Sequence, residues 1–141
     1  VLRNVHHVFA EEARRADVEL RLRPSELRVE ADPVALMRAV SNLVANALKH
    51  GRSGSGASRL LIAARWRADG ARIEVRDNGP GMTAAKLERA LRRGGKGNTS
   101  DGEGLGLAIV QDICAASDFH FTIEAVAGGG CKAFIHIPDR N

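Results

Sequence analysis

Apolar residues recur at helical spacing from the start of the chain. Leu2, Val5, Val8 with Phe9, Ala13 and Ala16 predict an amphipathic helix over residues 2–16. Val18, Leu20 and Leu22 then alternate with charged residues, the pattern of a half-buried strand. Pro24-Ser25 turns the chain, and Leu27, Val29 and Ala31 alternate again. Asp32-Pro33 reads as a helix start, with Asp as the N-cap and Pro at the first helical position. That helix is expected to run to about His50, and the glycine- and serine-rich stretch 51–56 is a loop. Residues 59–67 read as a strand with Leu60, Ile62, Ala64 and Trp66 on one face. Asp69-Gly70 signals a hairpin, and 71–77 is the return strand. A glycine-broken turn at 78–82 leads to a short helix, 83–92. Residues 93–104 have no apolar periodicity and are expected to form a mobile loop. A largely apolar helix, 105–116, and two alternating strands, 119–126 and 131–137, close the chain around Gly128-Gly129-Gly130. The tally of five to six strands and three to four helices in mixed order predicts an α/β two-layer sandwich. Its helices lie on one face of a mixed, mainly antiparallel sheet.

Composition narrows the class. With 141 residues and 44% apolar types, the chain buries one core and is neither disordered nor a disulfide scaffold. Aromatics are 4% and Tyr is absent, which argues against a stacking platform for single-stranded nucleic acid. The balance of 21 basic and 17 acidic residues gives +4, but no basic run is dense, so no nucleic-acid partner is expected. Cys114 and Cys131 lie far apart without metal spacing and read as reduced core residues of a cytoplasmic protein. No apolar run reaches membrane-spanning length, so no direct membrane contact is expected of this stretch. The chain begins at Val1, which suggests an excerpt of something longer.

Three features point to chemistry. On the helix 33–50, Leu36, Met37, Val40, Leu43, Val44 and Ala47 form an apolar stripe, and Asn42, Asn46 and Lys49 fall together on the opposite side. Two amides and an ammonium one turn apart suit a cation and phosphate oxygens, the Asn carbonyl being a hard ligand for magnesium. The same pattern also describes a plain solvated face. On the strand 71–77, the period of two places Asp77 on the inward side with Ile73 and Val75. A carboxylate there needs donors, which a nucleobase amine would supply, or it caps its own turn. Finally, Gly102-Glu103-Gly104-Leu105-Gly106-Leu107 enters a helix whose first amides are unpaired and favour anions. No Lys-Ser/Thr follows, so it is not a Walker loop, and no buried strand precedes it, as a dinucleotide fingerprint requires.

Taken in order, these runs resemble the boxes of sensor histidine kinases. Asn42 to His50 resembles the N box, and Asp77-Asn78-Gly79-Pro80-Gly81-Met82 the G1 box. Gly102 to Val110 resembles the G2 box, and Gly128-Gly129-Gly130 before a strand ending in Pro138 the closing glycine box. The resemblance covers about residues 17–138 and implies the Bergerat ATP-binding fold, shared with gyrase, MutL and a heat-shock chaperone. It implies ATP and Mg2+ as cofactors. By position, Asp77 would accept the adenine amine, Asn46 would ligate magnesium and Asn42 would sit beside the phosphates. Lys49 and His50 would line the phosphate or ribose side, and Asn42, Asn46 and Lys49 would form the catalytic set. Gly79, Gly81 and Met82 would shape the base pocket. Gly102, Gly104, Gly106 and the amides of Leu105 and Leu107 would wrap the phosphates. Residues 83–103 would be the ATP lid, with Arg92, Arg93 and Lys96 reaching the γ-phosphate when it closes.

One position separates branches of that family. Hydrolytic relatives carry a Glu four residues before the magnesium Asn, whereas here the residue is Asn42, which cannot act as a general base. The resemblance therefore implies phosphoryl transfer to a histidine on a separate dimerisation domain of the same kinase, then to a response regulator, in bacterial two-component signalling. A non-catalytic ATP-binding module and an anti-sigma-type serine kinase are the alternatives. The expected division is a leading helix, 1–16, ending a linker from the dimerisation domain, and a catalytic domain, 17–141. The resemblance implies a cytoplasmic location, and leaves open an anchor of the parent in the inner membrane. Val5-His6-His7-Val8 lacks the acidic residue that follows a phosphoacceptor His, so His6 and His7 read as surface or packing residues, and His120 and His136 as structural. Leu87 and Leu91 stand where lid aromatics are usual, and Cys131 where Thr is frequent.

Overall fold

Each predicted helix has a local reason to begin or end where it does. A computed structural model describes residues 2–23, 31–50, 58–67, 69–79, 105–126 and 129–138. Helix α1 (Leu2–Arg15) stops at Asp17, whose φ of 59° breaks the spiral and leads into strand β1 (Val18–Leu22). Helix α2 (Pro33–His50) is capped by Asp32, whose Oδ1 accepts from the amides of Val34 at 2.9 Å and Ala35 at 3.4 Å. Strands β2 (Ser58–Arg67) and β3 (Gly70–Asp77) form the hairpin. Arg67 pairs with Gly70, so Gly70 is the first residue of the return strand and not part of the turn. Helix α3 (Leu105–Ala116) ends at Asp118, with φ 60°, and the Phe119 amide donates to the Cys114 carbonyl at 2.9 Å. That is the Schellman way of satisfying a helix end. Strands β4 (His120–Ala125) and β5 (Cys131–Pro138) complete the described elements. The expectations for the strand at 27–31, the loop 51–56, the helix 83–92 and the loop 93–104 lie largely or wholly outside the described residues.

The five strands form one sheet in the order β1-β2-β3-β5-β4. The β1–β2 pair is parallel and the other three pairs are antiparallel, which matches the mixed sheet expected. Helix α1 packs on β1 and on α2, α2 reaches β3 and packs on α3, and α3 meets β4. The register sends Leu60, Ile62, Ile73, Val75, Ala133, Ile135 and Ile137 inward, where they join Val5, Val40, Leu43, Val44, Leu107 and Val110 in one core. Among the described residues the layers are thus three helices on one sheet face, an α/β sandwich. Among the described residues, no element covers the other face.

Two apolar residues depart from their expected faces. Val8 is 61% exposed, because at 100° per residue it falls on the flank of the stripe made by Val5, Phe9 and Ala13. Trp66 shares the inner register of Leu60 and Ile62 but is 50% exposed at the hairpin end of β2.

Candidate functional site

The inner end of β3 carries the first part of the site. Ile73 and Val75 are buried, and two residues on Asp77 lies half-buried on the same side, paired with Leu60 and with Cys131. Burial raises the Asp77 pKa above the usual carboxylate value, while backbone hydrogen bonds from Gly79 and Cys131 partly counter it. The Gly79 amide donates to Asp77 Oδ1 at 2.9 Å, so the carboxylate does cap its own turn. The cap does not offset the burial, since desolvation remains the larger effect. This is a half-buried carboxylate at the end of a core-facing strand, held by two backbone donors.

The neighbouring turn is held by contacts that sequence reading missed. Asn78 prolongs the β2–β3 ladder through its side chain: its Oδ1 accepts from the Arg59 amide at 2.7 Å, and its own amide donates to the Arg59 carbonyl at 3.3 Å. Gly79 is buried. Gly130 has φ +97°, and a Cβ there would stand 2.4 Å from the Asp77 carbonyl oxygen. The glycines before β5 therefore let the chain press against the Asp77 turn, which only a residue without a side chain permits. The sequence signal for this contact was the Gly128-Gly129-Gly130 run itself. Cys131, beside Asp77 in the register, is half-buried, and burial together with the Asp77 charge pushes its thiol up to about 11.

Helix α2 carries the second part. Its apolar face is wider than the pattern suggested. Ala39 and Leu48 are buried along with Leu36, Val40, Leu43 and Val44, because the helix packs on both β3 and α3. Asn46 consequently lies not on the opposite side but at the margin of this face, two turns along from Ala39 and about 20° around the helix, and is half-buried. Asn42 is also half-buried and donates its Nδ2 to the Arg38 carbonyl at 2.7 Å, leaving Oδ1 as an acceptor. Lys49 is exposed, and the side chain of His50 lies outside the described set.

Helix α3 supplies the third part. It starts at Leu105, so the backbone amides of Leu105, Gly106 and Leu107 belong to its first turn. The Leu107 side chain is fully buried in the core, which leaves only its amide for a ligand. Gly81, Met82, Arg92, Arg93, Lys96, Gly102 and Gly104 lie outside the described residues. The elements bearing Asn46, Asp77 and Leu105 are neighbours, since α2 packs against α3 and reaches β3. Of the histidines, His6 is half-buried with its Nε2 3.1 Å from the Leu20 carbonyl, a packing role, and His136 lies 3.4 Å from Asp69.

Comparison with known proteins agrees with this layout. Residues 31–141 match the family described as histidine kinase-, DNA gyrase B- and HSP90-like ATPases. The sensor-like histidine kinase SenX3 of Mycobacterium tuberculosis is 35% identical over 141 residues, covering 94% of this chain and 32% of that protein. The chain thus spans about a third of that relative's length. The mycobacterial sensor histidine kinase MprB superposes with a TM-score of 0.74 at 27% identity, covering 99% of this chain and 95% of that one. Full-length ShkA in complex with AMPPNP superposes with a TM-score of 0.78 at 26% identity, over 97% of this chain and 29% of that one. With the mixed sheet, the strand-end aspartate and the glycine-led helix already in place, the chain belongs to the histidine kinase-, gyrase B- and HSP90-like ATPase family, as an ATP-binding catalytic domain of the sensor histidine kinase type.

Proposed function

We propose that this domain binds Mg-ATP and transfers its γ-phosphate to a histidine on a dimerisation domain of the same parent protein, which then passes it to a response regulator. The observation that carries the nucleotide reading is Asp77, a desolvated carboxylate at the inner end of β3. An adenine amine is a donor that a partly desolvated carboxylate accepts favourably. The AMPPNP held by ShkA supports the same ligand class. In this reading Gly79, Gly81 and Met82 border the base. Gly102, Gly104, Gly106 and the amides of Leu105 and Leu107 wrap the phosphates. Lys49 and His50 face the phosphates or ribose, and Arg92, Arg93 and Lys96 approach the γ-phosphate from the lid.

The donor set of α2 suits magnesium. Asn46 offers a half-buried amide oxygen, and magnesium takes few protein ligands and keeps most of its water. When bound, the ion neutralises charge on the phosphate oxygens. Asn42 holds its Nδ2 on its own helix and presents only an oxygen. It cannot take a proton from water, so the chain's residues orient and bind while the acceptor supplies the nucleophile. Residues 17–141 make up the nucleotide-binding unit, and α1 is the last helix of a linker from the dimerisation domain. The domain works in the cytoplasm, in keeping with free Cys114 and Cys131. Among the described residues no helix is long and apolar enough to cross a membrane.

The test is phosphotransfer from labelled ATP to the parent's supplied dimerisation domain. The expected product is acid-labile and is lost with Asn46→Ala. An acid-stable product would indicate a serine kinase, and bound nucleotide without transfer a non-catalytic module.

A further inference from the structure

We infer that the sheet face left uncovered among the described residues is a docking surface for an acidic region of a partner protein, separate from the nucleotide site. The register places Arg65, Arg67, Arg72, Arg76 and Lys132 together on this face, with Phe134 among them. They line a shallow groove of about 470 Å³. Arg65 pairs directly with Arg72, and Arg76 directly with Lys132. Like charges set opposite one another across strands destabilise a sheet, so this arrangement opposes folding and needs another reason to exist.

The cations here are largely unneutralised. At the β1 edge, Glu19 answers Arg21 at 2.9 Å and Arg59 at 3.8 Å. No such ion pair engages Arg65, Arg67, Arg72, Arg76 or Lys132 among the described residues. Arg72 lies over the Phe134 ring, 4.7 Å from its centre, which holds the guanidinium in place. Its Nε is buried with no hydrogen-bond partner among the described residues. A guanidinium pre-positioned on a ring suits a carboxylate, which the two terminal nitrogens bind through parallel hydrogen bonds.

The same face disfavours other polyanions. Glu74 sits between Arg72 and Arg76, and Glu124 pairs with Lys132. These carboxylates repel a uniformly charged nucleic acid but complement the mixed charge of a protein surface. Phe134, already covered by Arg72, offers no open ring for base stacking. Leu61 and Phe134 are only partly exposed, so among the described residues no bulky apolar side chain of this face projects far enough to enter a bilayer.

The test uses the whole chain with a fluorescent, net-acidic peptide in which glutamates are interspersed with lysines, an unrelated duplex DNA and phosphatidylglycerol vesicles, at low and at physiological salt. Arg65 and Arg76 are exposed, so R65E/R76E is expected to fold, as circular dichroism would verify. Peptide binding is expected, weakened at least about tenfold by R65E/R76E and by added salt, and largely retained by R65K/R76K. Should R65E/R76E misfold, the milder R72Q serves instead, with the same direction of effect. No peptide binding at low salt, unchanged binding by the charge-reversed protein, or a preference of this face for DNA or vesicles over the peptide would each overturn the inference.

Discussion

Asp77 has its pKa raised by burial, and the sign of that shift has a consequence for stability. A carboxyl that holds its proton more firmly when folded stabilises the fold below the ordinary carboxylate range. That stability is lost as pH rises through the raised value. Asp77→Asn removes the titration. In urea unfolding, the wild type is expected to lose ground against this variant as pH rises from about 3 to neutral. A difference that stays flat, or moves the other way, contradicts the burial reading. Gly130 makes a second residue-scale claim. With φ +97° and the Asp77 carbonyl 2.4 Å from any Cβ, Gly130→Ala must shift the turn that carries Asp77. A loss of about 2–4 kcal/mol in chemical unfolding is expected. A cost below that of an ordinary surface substitution would mean that the two turns do not press together.

The elements follow local rules that a sequence exposes. Asp32 caps α2 through two amides, so Asp32→Ala is expected to cost about 1 kcal/mol in thermal or urea unfolding. An unchanged midpoint would show that tertiary contacts alone hold the start of the helix. Caps, alternation and the hairpin were legible for this reason: each depends on residues a few positions apart. The width of the α2 face was not. It is set by two neighbours distant in sequence, β3 and α3, and their joint contact carried Ala39 and Leu48 inside and moved Asn46 to the margin. Val8 failed similarly, since an apolar residue on a flank looks no different from one on the stripe until the partner surface is known. The role of Asn78 was hidden too, because its partner, Arg59, is nineteen residues away.

At the scale of the whole molecule, a sheet with one buried and one open face separates two tasks. In the proposed function the inner end of β3 and its packed helices form the nucleotide side, and the outer face, which no element covers among the described residues, engages the partner. The family was legible because four glycine- and amide-bearing runs occur in a fixed order, and the fold agrees with it. The pairing of like charges on the outer face was not legible, since it depends on strand register. The most direct test of the central claim is isothermal titration calorimetry of ATP with magnesium, on the wild type and on Asp77→Asn. The account predicts saturable binding to the wild type and an affinity about 10–100-fold weaker for the variant, the worth of a hydrogen bond to a charged acceptor. Absence of binding to the wild type, or equal affinity for both proteins, would contradict it.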